Sequence, residues 1–322
     1  MKYFNEIPAD QAVWFNGKLV DWKDATVHVM SHSLHYGCGM FEGIRCYKTP
    51  KGSFIFRLAD HVDRLLDSCR MYRIDIPYSR EALSEAIIDL VLANGYEECY
   101  IRPLVFRGTG AFGVNPFANS IEVAICTWVW GNYLGEEARE KGASVMVSSW
   151  DRTAPNTMPS MAKCAANYAN VQLIKMEAQI NGYSEGIALD TQGFVSEGGG
   201  ANLFVVRKGT IFTPPLSASI LAGITRGTVI KLARGMGYQL VEANIPREML
   251  YIADELFFTG TAAEISPIAQ VDKIKIGIGL RGPVTKALQD EFSAVIQGQK
   301  SDEYGWLTPV LAKKNDGKKL EG

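Results

Sequence analysis

The sequence lacks the features that define several large classes of protein. It contains no uninterrupted apolar run of about 18 residues, so we expect no membrane-spanning helix and no membrane partner. Its opening residues, MKYFNEIPAD, have no signal-peptide core, and its six cysteines are scattered without a CxxC pair. We therefore expect reduced thiols in a cytoplasmic protein. A net charge of −2 without a basic stripe argues against a nucleic-acid partner.

Common nucleotide-binding and hydrolase motifs are missing as well. No GxGxxG follows a strand and opens a helix, and there is neither a P-loop nor a GxSxG elbow. The strands do not alternate simply with helices, which disfavours a Rossmann fold. The chemistry therefore has to be sought elsewhere in the chain.

What is present is typical of a two-domain globular protein. The chain has 322 residues, of which 47% are hydrophobic and 21% charged. Hairpin signals, such as Asn16-Gly17, and two amphipathic helices predict an α+β fold of mostly antiparallel sheets with flanking helices. The polar stretch GNYLGEEAREKG predicts the domain junction. We expect an N-terminal domain (1–132), an interdomain loop (133–141), a larger C-terminal domain (142–311) and a polar, disordered tail (312–322).

The stretch AKCAANYANVQL poses a question about Lys163. It predicts a helix that begins near this lysine and stops near Asn181-Gly182. A lysine is poorly placed at a helix start, where the dipole favours acids. Lys163 is therefore either a misplaced surface charge or an amine kept for chemistry. The adjacent Cys164 is either a reactive thiol or a small buried filler.

Three glycine-containing turns could bind an anion. LAGITRG offers the free N–H groups of Ile224 and Thr225 at a helix start, and TGTAAE and SEGGGAN are the other two. Any one of them alone would be interpreted as an ordinary turn or cap. Two threonine-glycine turns together with a candidate lysine favour phosphate binding. Glu197 is either a solvated strand end or a buried acid that needs a partner such as a protonated ring nitrogen.

Two further patterns leave alternatives open. His28, His32 and His35 have a spacing that could mimic a metal site, but no acid is nearby, and a structural role is favoured. Tyr100 and Arg102 in YIRP would share one face of a strand. They could recognise a carboxylate, or Arg102 could simply be exposed.

Long, ordered segments resemble the branched-chain amino acid aminotransferases. These segments are HVMSHSLHYGCGMFEGIRCY, YIRPLVFRGTGAFGVNP, SSWDRTAPNTMPSMAKCAANY, EGIALDTQGFVSEGGGANLF, GITRGTVIKLA and FFTGTAAEISPI. The resemblance covers about residues 12–307 and implies a class IV, fold-type IV enzyme that uses pyridoxal 5'-phosphate. It also implies an active site at the domain interface.

The resemblance implies a role in binding the cofactor for seven residues. Lys163 matches the lysine that forms the Schiff base, and Glu197 matches the acid that pairs with the pyridine nitrogen. Tyr168 matches the tyrosine near the phenolic oxygen. The residues that match the phosphate-binding positions of the family are Arg64, Ile224, Thr225 and Thr261.

The substrate-binding residues are implied in the same way. Thr261 and Ala262 match the backbone that holds the α-carboxylate, and the Tyr100–Arg102 pair matches the branched-chain subgroup, with Arg102 meeting a glutamate side chain. Matches to the pocket walls are Phe41, Trp130 and Tyr133. Tyr36 and Val114 match residues lent by a neighbouring subunit, which implies self-association as a homodimer or a trimer of dimers.

The implied activity is ping-pong transamination between leucine, isoleucine or valine and 2-oxoglutarate. Alternatives on the same fold are a D-amino acid or R-amine transaminase and an aminodeoxychorismate lyase; the Tyr100–Arg102 pair disfavours them. A non-catalytic cofactor-binding module is a further alternative, but it would require neither Lys163 nor Glu197. Two departures from the family pattern, Ala201 and Ala222, are expected to affect substrate range more than reaction type. The sequence does not rank the three amino acids.

Overall fold

The protein is described from a computed structural model that covers residues 7–8, 10–131 and 138–311. The helices, in chain order, are His32–Tyr36 (α1), Leu58–Met71 (α2), Arg80–Ala93 (α3), Ala138–Lys141 (α4), Ala165–Ile180 (α5), Ile224–Gly235 (α6), Glu248–Tyr251 (α7) and Pro283–Ile296 (α8). Short 3-10 turns lie at Trp22–Asp24 and Leu216–Ala218.

The strands outnumber the helices. In chain order they are Ala12–Phe15 (β1), Lys18–Asp21 (β2), Gly39–Phe41 (β3), Ile44–Thr49 (β4), Gly52–Phe56 (β5), Cys99–Arg107 (β6), Ile121–Trp128 (β7), Ala143–Val147 (β8), Glu185–Leu189 (β9), Val195–Gly198 (β10), Asn202–Arg207 (β11), Thr210–Thr213 (β12), Gln239–Glu242 (β13), Glu255–Gly260 (β14), Glu264–Val271 (β15), Ile274–Lys275 (β16) and Leu307–Pro309 (β17).

The strands form two sheets. The first has the order β17-β5-β4-β6-β7-β1-β2, with β3 also paired to β6, and its pairs are antiparallel. The second has the order β10-β9-β8-β15-β14-β11-β12-β13, with β16 on β15, and mixes antiparallel pairs with parallel ones at β8–β9, β8–β15 and β12–β13. The predicted α+β class is confirmed, and so is the hairpin at Asn16-Gly17; β9–β10 and β11–β12 form two further hairpins.

Each sheet buries apolar side chains against its helices. Leu65 of α2, Leu90 of α3 and Ile101 of β6 belong to one cluster on the first sheet. On the second sheet, Phe204 and Phe257 stack with ring centroids 5.0 Å apart beneath α6 and α8. Burial of these large side chains is the main favourable term of folding. It fixes the two sheets as platforms for the loops between them.

The chain around Lys163 departs slightly from its prediction. The helix begins at Ala165, two residues after Lys163, and Cys164 is its extended N-cap residue, without a side-chain cap. Cys164 instead forms an isolated β-bridge with Met40 of the first sheet. Lys163 therefore lies in an extended segment between the two sheets rather than on the helix itself.

The two-domain division at residues 133–141 stays a prediction, because much of that segment and the predicted tail at 312–322 lie outside the described residues. β17 follows the second sheet in sequence but pairs with β5 at the edge of the first. In the part of the chain that the structure describes, every helix is too short or too polar to serve as a membrane span.

Candidate active site

A cavity of about 330 Å³ lies between the two sheets. Its walls come from β3 and β6 on one side and from β10, the start of α6 and the β14–β15 turn on the other. The structure brings twelve of the predicted site residues to this cavity: Phe41, Arg64, Tyr100, Arg102, Trp130, Lys163, Tyr168, Glu197, Ile224, Thr225, Thr261 and Ala262.

Lys163 is fixed at its backbone and at its amine. Its N–H donates to Ser68 Oγ at 3.0 Å, and its carbonyl accepts from Phe41 N–H at 3.0 Å, so both backbone partners belong to the first sheet and α2. The Lys163 Nζ lies 2.6 Å from the Tyr168 hydroxyl and 4.9 Å from the centroid of the Phe41 ring. The amine is therefore directed into the cavity and is not a surface charge.

Glu197 lies buried at the end of β10. Its Oε2 accepts from Asn202 Nδ2 and from Leu221 N–H, both at 3.0 Å, and its Oε1 lies 3.3 Å from Arg152 Nη2. Burial raises the pKa of this carboxyl above its ordinary value, although Arg152 acts in the opposite direction. A buried carboxyl of this kind is best stabilised as an anion by a further cationic N–H partner.

The start of α6 forms an anion site. Gly223 is its N-cap residue and provides no side-chain cap, which leaves the first helical N–H groups to bind an external acceptor. A Cβ on Gly223 would lie 1.9 Å from Asn202 Oδ1, so only glycine allows this close approach. Thr225 is buried in the first turn of the helix and adds a hydroxyl.

Arg64 of α2 reaches the same loop from the other side. Its Nη1 donates to the Ala222 carbonyl at 3.0 Å. Its Nε and Nη2 donate to the two oxygens of the fully buried Glu42, at 2.7 and 2.8 Å. His61 Nδ1 lies 2.7 Å from Glu42 Oε2. The predicted phosphate-binding arginine is thus already part of a buried charged cluster.

The protonation of this cluster follows from its contacts. Burial favours the neutral form of Glu42, but Arg64 and His61 outweigh it and hold the pKa of Glu42 well below its ordinary value. Burial lowers the pKa of His61 in spite of the neighbouring Glu42. Glu42 is therefore ionised at neutral pH and accepts from His61 Nδ1.

Arg102 stands among aromatic rings. Its guanidinium carbon lies 4.9 Å from the ring centroid of Phe41, 5.4 Å from that of Tyr100 and 5.6 Å from that of Trp128. The Tyr100 and Trp130 rings meet edge to face at 4.6 Å. Arg102 Nε is buried without a hydrogen-bond partner. This wall therefore combines apolar surface with an arginine that is able to bind a carboxylate.

The turn between β14 and β15 is anchored by Arg45. The Arg45 Nε donates to the Thr261 carbonyl at 3.1 Å, and its Nη2 donates to the carbonyls of Ala262 and Gly131 at 3.4 and 3.0 Å. Arg45 belongs to β4 of the first sheet, so it fixes the turn from across the cavity. Thr261 and Ala262 are thereby held beside the aromatic wall.

Two of the predicted substrate residues lie outside the lining of this cavity, and a third is not among the described residues. Tyr36 and Val114 are exposed and, among the described residues, lie outside its lining. Tyr133 lies outside the described residues. Tyr36 and Val114 were expected to serve a neighbouring subunit, so their position agrees with that expectation without testing it.

The remaining features have structural surroundings. His28, His32 and His35 each contact nearby backbone or Cys38, and within the described residues no cluster of three metal-ligating side chains occurs. Cys164 is buried, and burial raises the pKa of its thiol. Ala201 and Ala222 lie in the two loops that flank Glu197 and Arg64.

Sequence reasoning missed several residues that support the site. Glu42, His61, Arg152, Asn202 and Arg45 hold the predicted residues in place through the contacts described above. Glu42 and Arg152 stand inside the quoted motifs, but neither has a local sequence signal. Only their buried positions beside an opposite charge reveal their role.

The arrangement supports chemistry on a phosphorylated, nitrogen-containing ring. It offers an amine next to a hydroxyl, a buried acid 3.3 Å from an arginine, and a helix N-terminus with an adjacent arginine. An amine of this kind can attack an aldehyde or move a proton. The buried acid can hold a ring nitrogen in its protonated form.

Comparison with known proteins defines the class. The family model for amino-transferase class IV matches residues 39–271. A branched-chain-amino-acid aminotransferase of Escherichia coli (strain K12) is 50% identical over 299 residues, which cover 92% of this chain and 97% of that relative. The chain therefore belongs to the class IV amino-transferases.

Solved structures agree with this assignment. The crystal structure of an Escherichia coli branched-chain amino acid aminotransferase is similar with a TM-score of 0.92 at 50% identity, over 94% of this chain and 100% of that one. The branched-chain amino acid aminotransferase from Thermobaculum terrenum, in its PLP-form (holo-form), is similar with a TM-score of 0.88 at 37% identity, over 94% and 99% of the two chains.

The Glu42 cluster leads to a prediction about stability and pH. Replacing Glu42 with Gln leaves Arg64 without its buried counter-charge, and we expect this to lower the free energy of unfolding by about 3 kcal/mol at pH 7. Because folding lowers the pKa of Glu42, its contribution is present above its ordinary value of 4.5 and is lost as the pH falls below it. Urea unfolding of both proteins at several pH values measures this difference.

The matched control is Asp60→Asn. Asp60 of α2 also binds an arginine at two points, since Arg57, the residue before α2, donates to its two oxygens at 2.8 and 2.9 Å, but the Asp60 side chain is 45% exposed. We expect a loss of less than about 1 kcal/mol for this variant. A Glu42→Gln penalty that stays constant from pH 7 to below pH 4.5 would contradict the assignment of Glu42 as a buried carboxylate.

Proposed function

We propose that this protein is a pyridoxal 5'-phosphate-dependent branched-chain-amino-acid aminotransferase. It transfers the amino group of leucine, isoleucine or valine to 2-oxoglutarate by a ping-pong mechanism, giving branched-chain 2-oxo acids and L-glutamate. The observation that carries the proposal is the Lys163 amine, 2.6 Å from the Tyr168 hydroxyl, in one cavity with the buried Glu197 and the start of α6. The 50% identity to a branched-chain-amino-acid aminotransferase supports the choice of substrate.

The residues of the cavity fit pyridoxal 5'-phosphate. The phosphate would be held by Arg64, Thr225, Thr261 and the N–H groups at the start of α6. Glu197 would bind the ring nitrogen, Tyr168 the phenolic oxygen and Lys163 the aldehyde carbon. A hydroxyl of the cavity lining, Thr259 Oγ1, is buried without a partner, which indicates that the site is completed by a polar ligand.

When bound, the cofactor supplies an electron sink for the electron pair at the substrate α-carbon. The protein's own groups provide the proton transfers. The Lys163 amine, which lies within the cavity, would accept the proton from the substrate α-carbon and return it during the reaction. The Tyr168 hydroxyl, hydrogen-bonded to Lys163 Nζ, keeps the amine beside the reacting carbon. Glu197 holds the proton on the ring nitrogen.

One cavity has to accept two kinds of side chain. Phe41, Tyr100 and Trp130 offer an apolar wall for leucine, isoleucine and valine. Arg102, in the same wall, offers a charged hydrogen-bond donor for the side-chain carboxylate of 2-oxoglutarate. The α-carboxylate, common to all substrates, would bind at the turn of Thr261 and Ala262. The α-carboxylate would thus bind in the same place for every substrate, while the side chain contacts either the apolar wall or Arg102.

Self-association as a homodimer, alone or within a trimer of dimers, forms part of the proposal. Around α1, Val29, Leu34 and Tyr36 expose apolar surface, as do Phe112 and Val114 in the loop beside it. His32 of α1 lies 3.1 Å from the Gly113 carbonyl, so the two segments form one surface. An exposed apolar surface of this kind is typical of a protein interface. A second subunit that covers it could direct Tyr36 and Val114 toward its own cavity.

The interface can be tested by placing a charge on it. We expect Val114→Asp to shift the protein toward monomers in sedimentation equilibrium, because a buried unpaired carboxylate opposes association. The control is Ile180→Asp, which alters an equally exposed apolar residue at the end of α5. If Val114→Asp sediments as the wild type does, this surface is not the interface.

The role of Lys163 has a direct test. We expect Lys163→Ala to lower turnover of leucine with 2-oxoglutarate by about a thousandfold or more, because the amine both binds the cofactor covalently and moves the proton. The variant should also lose the borohydride-sensitive absorbance band near the border of the visible range. Lys231→Ala, a change of an exposed lysine on α6, is the control. Full turnover by Lys163→Ala would remove Lys163 from the mechanism.

The role of Arg102 is tested by comparing two acceptors. We expect Arg102→Ala to lower kcat/KM for 2-oxoglutarate by roughly tenfold to a hundredfold, since one charge-assisted hydrogen bond to the substrate is lost. The loss for 4-methyl-2-oxopentanoate, which has no second carboxylate, should be several times smaller. Equal losses for the two acceptors would contradict the dual use of this wall.

A further inference from the structure

The arginine that faces the phosphate position is not a free cation. Glu42 accepts from both Nε and Nη2 of Arg64, and Ala222 accepts from Nη1. Three of the five N–H bonds of this guanidinium are therefore already used, and two are left. The carboxylate also cancels the formal charge that would attract a phosphate. A buried carboxylate such as Glu42 would repel the phosphate proposed to bind beside Arg64, so charge alone does not account for its position.

Glu42 is itself held rigidly. It directly follows β3, its side chain is fully buried, and its N–H donates to the Pro103 carbonyl at 2.9 Å. His61 Nδ1, one turn before Arg64 on α2, lies 2.7 Å from Glu42 Oε2. The Gly43 N–H also donates to Glu42 Oε2 at 3.3 Å, so the carboxylate has a fixed place and three partners, Arg64, His61 and Gly43. An arginine side chain has four rotatable bonds, and a two-point bond to a rigid carboxylate removes that freedom.

The residues next to Glu42 belong to the substrate wall. Phe41 packs against the Tyr168 ring with centroids 4.8 Å apart. Gly43 lies so close to Tyr100 that a Cβ on it would be 1.9 Å from the Tyr100 hydroxyl. The same short segment therefore supports the aromatic wall and holds the arginine at the phosphate position.

We propose that Glu42, supported by His61, is a positioning residue that fixes Arg64 so that its two remaining N–H bonds face the cofactor phosphate at the start of α6. This inference rests on the proposed function. Arg64 then contributes to phosphate binding through its orientation rather than through its net charge. The helix N–H groups and hydroxyls then supply the rest of the phosphate site.

Orientation and net charge predict opposite results for Glu42→Gln. If charge dominated, removal of an anion from the site would tighten phosphate binding. If orientation dominates, the amide can accept from only one Arg64 N–H and presents its own N–H to the other. Arg64 then turns away, and the phosphate loses a charge-assisted hydrogen bond.

The test compares two probes that differ only in the phosphate. Full-length protein freed of cofactor is titrated with pyridoxal 5'-phosphate and with pyridoxal, and binding is followed by quenching of tryptophan fluorescence. The change in the ratio of the two affinities between variant and wild type isolates the phosphate, because the aldehyde contact with Lys163 and the internal hemiacetal of free pyridoxal are the same for both proteins. We expect Glu42→Gln to lower this ratio by about tenfold.

Asp63→Asn is the matched control here, because it removes a two-point carboxylate from Arg80 of α3, an arginine outside the cavity lining. We expect its affinity ratio to equal that of the wild type. In an Arg64→Lys background, Glu42→Gln should cause no further loss, since Glu42 acts through Arg64. A merely structural role of Glu42 would lower both affinities together and leave the ratio unchanged.

The outcomes separate the inference from the proposed function. A wild-type protein that does not prefer the phosphorylated probe would overturn the cofactor assignment. A wild-type preference that Glu42→Gln keeps or increases would overturn the positioning role alone. If Glu42→Gln does not fold, Glu42→Asp keeps the charge but is one methylene shorter; it too should lower the ratio, and an unchanged ratio would overturn the inference.

Discussion

Two buried carboxylates hold the loop at residues 221–223 from the two sheets: Glu197 directly, and Glu42 through Arg64. The geometry of the cavity depends on these contacts. From the second sheet, Glu197 accepts from the Leu221 N–H, and Asn202 donates to the Leu221 carbonyl. From the first sheet, Arg64 donates to the Ala222 carbonyl and is itself held by Glu42. A loop restrained by charged hydrogen bonds at successive residues has little freedom to move. Glu197 and the start of α6 are thereby set at a constant separation.

The same principle extends to the substrate side. Arg45 bridges from the first sheet to the turn at Thr261 and Ala262, and Phe41 N–H bridges to the Lys163 carbonyl. The first sheet thus braces both the Lys163 segment and the turn at Thr261 and Ala262. Such bracing keeps the two walls of the cavity at a fixed separation. The aromatic rings of Phe41 and Tyr100 flank the Arg102 guanidinium on the proposed substrate wall.

Local patterns in the sequence were sufficient for much of the fold and for the residues that face the cavity. Turn residues at Asn16-Gly17 and periodic apolar positions predicted hairpins and helices, and the family resemblance led to Lys163, Glu197 and Arg64. The supporting residues could not be predicted, because their role arises from contacts distant in sequence. Glu42 meets Arg64 22 positions away, and Arg45 meets Thr261 216 positions away. The start of α5 was placed two residues early, since the β-bridge between Cys164 and Met40 delays the helix.

The central claim is that transamination proceeds as two half-reactions, and measuring the first half-reaction alone tests this most directly. The cofactor-loaded enzyme is mixed with L-leucine alone, and 4-methyl-2-oxopentanoate is measured. We expect about one equivalent of product per subunit, after which the reaction stops until 2-oxoglutarate is added and L-glutamate forms. Continuous release of the 2-oxo acid without an acceptor, or no release from L-leucine while D-leucine reacts, would contradict the account.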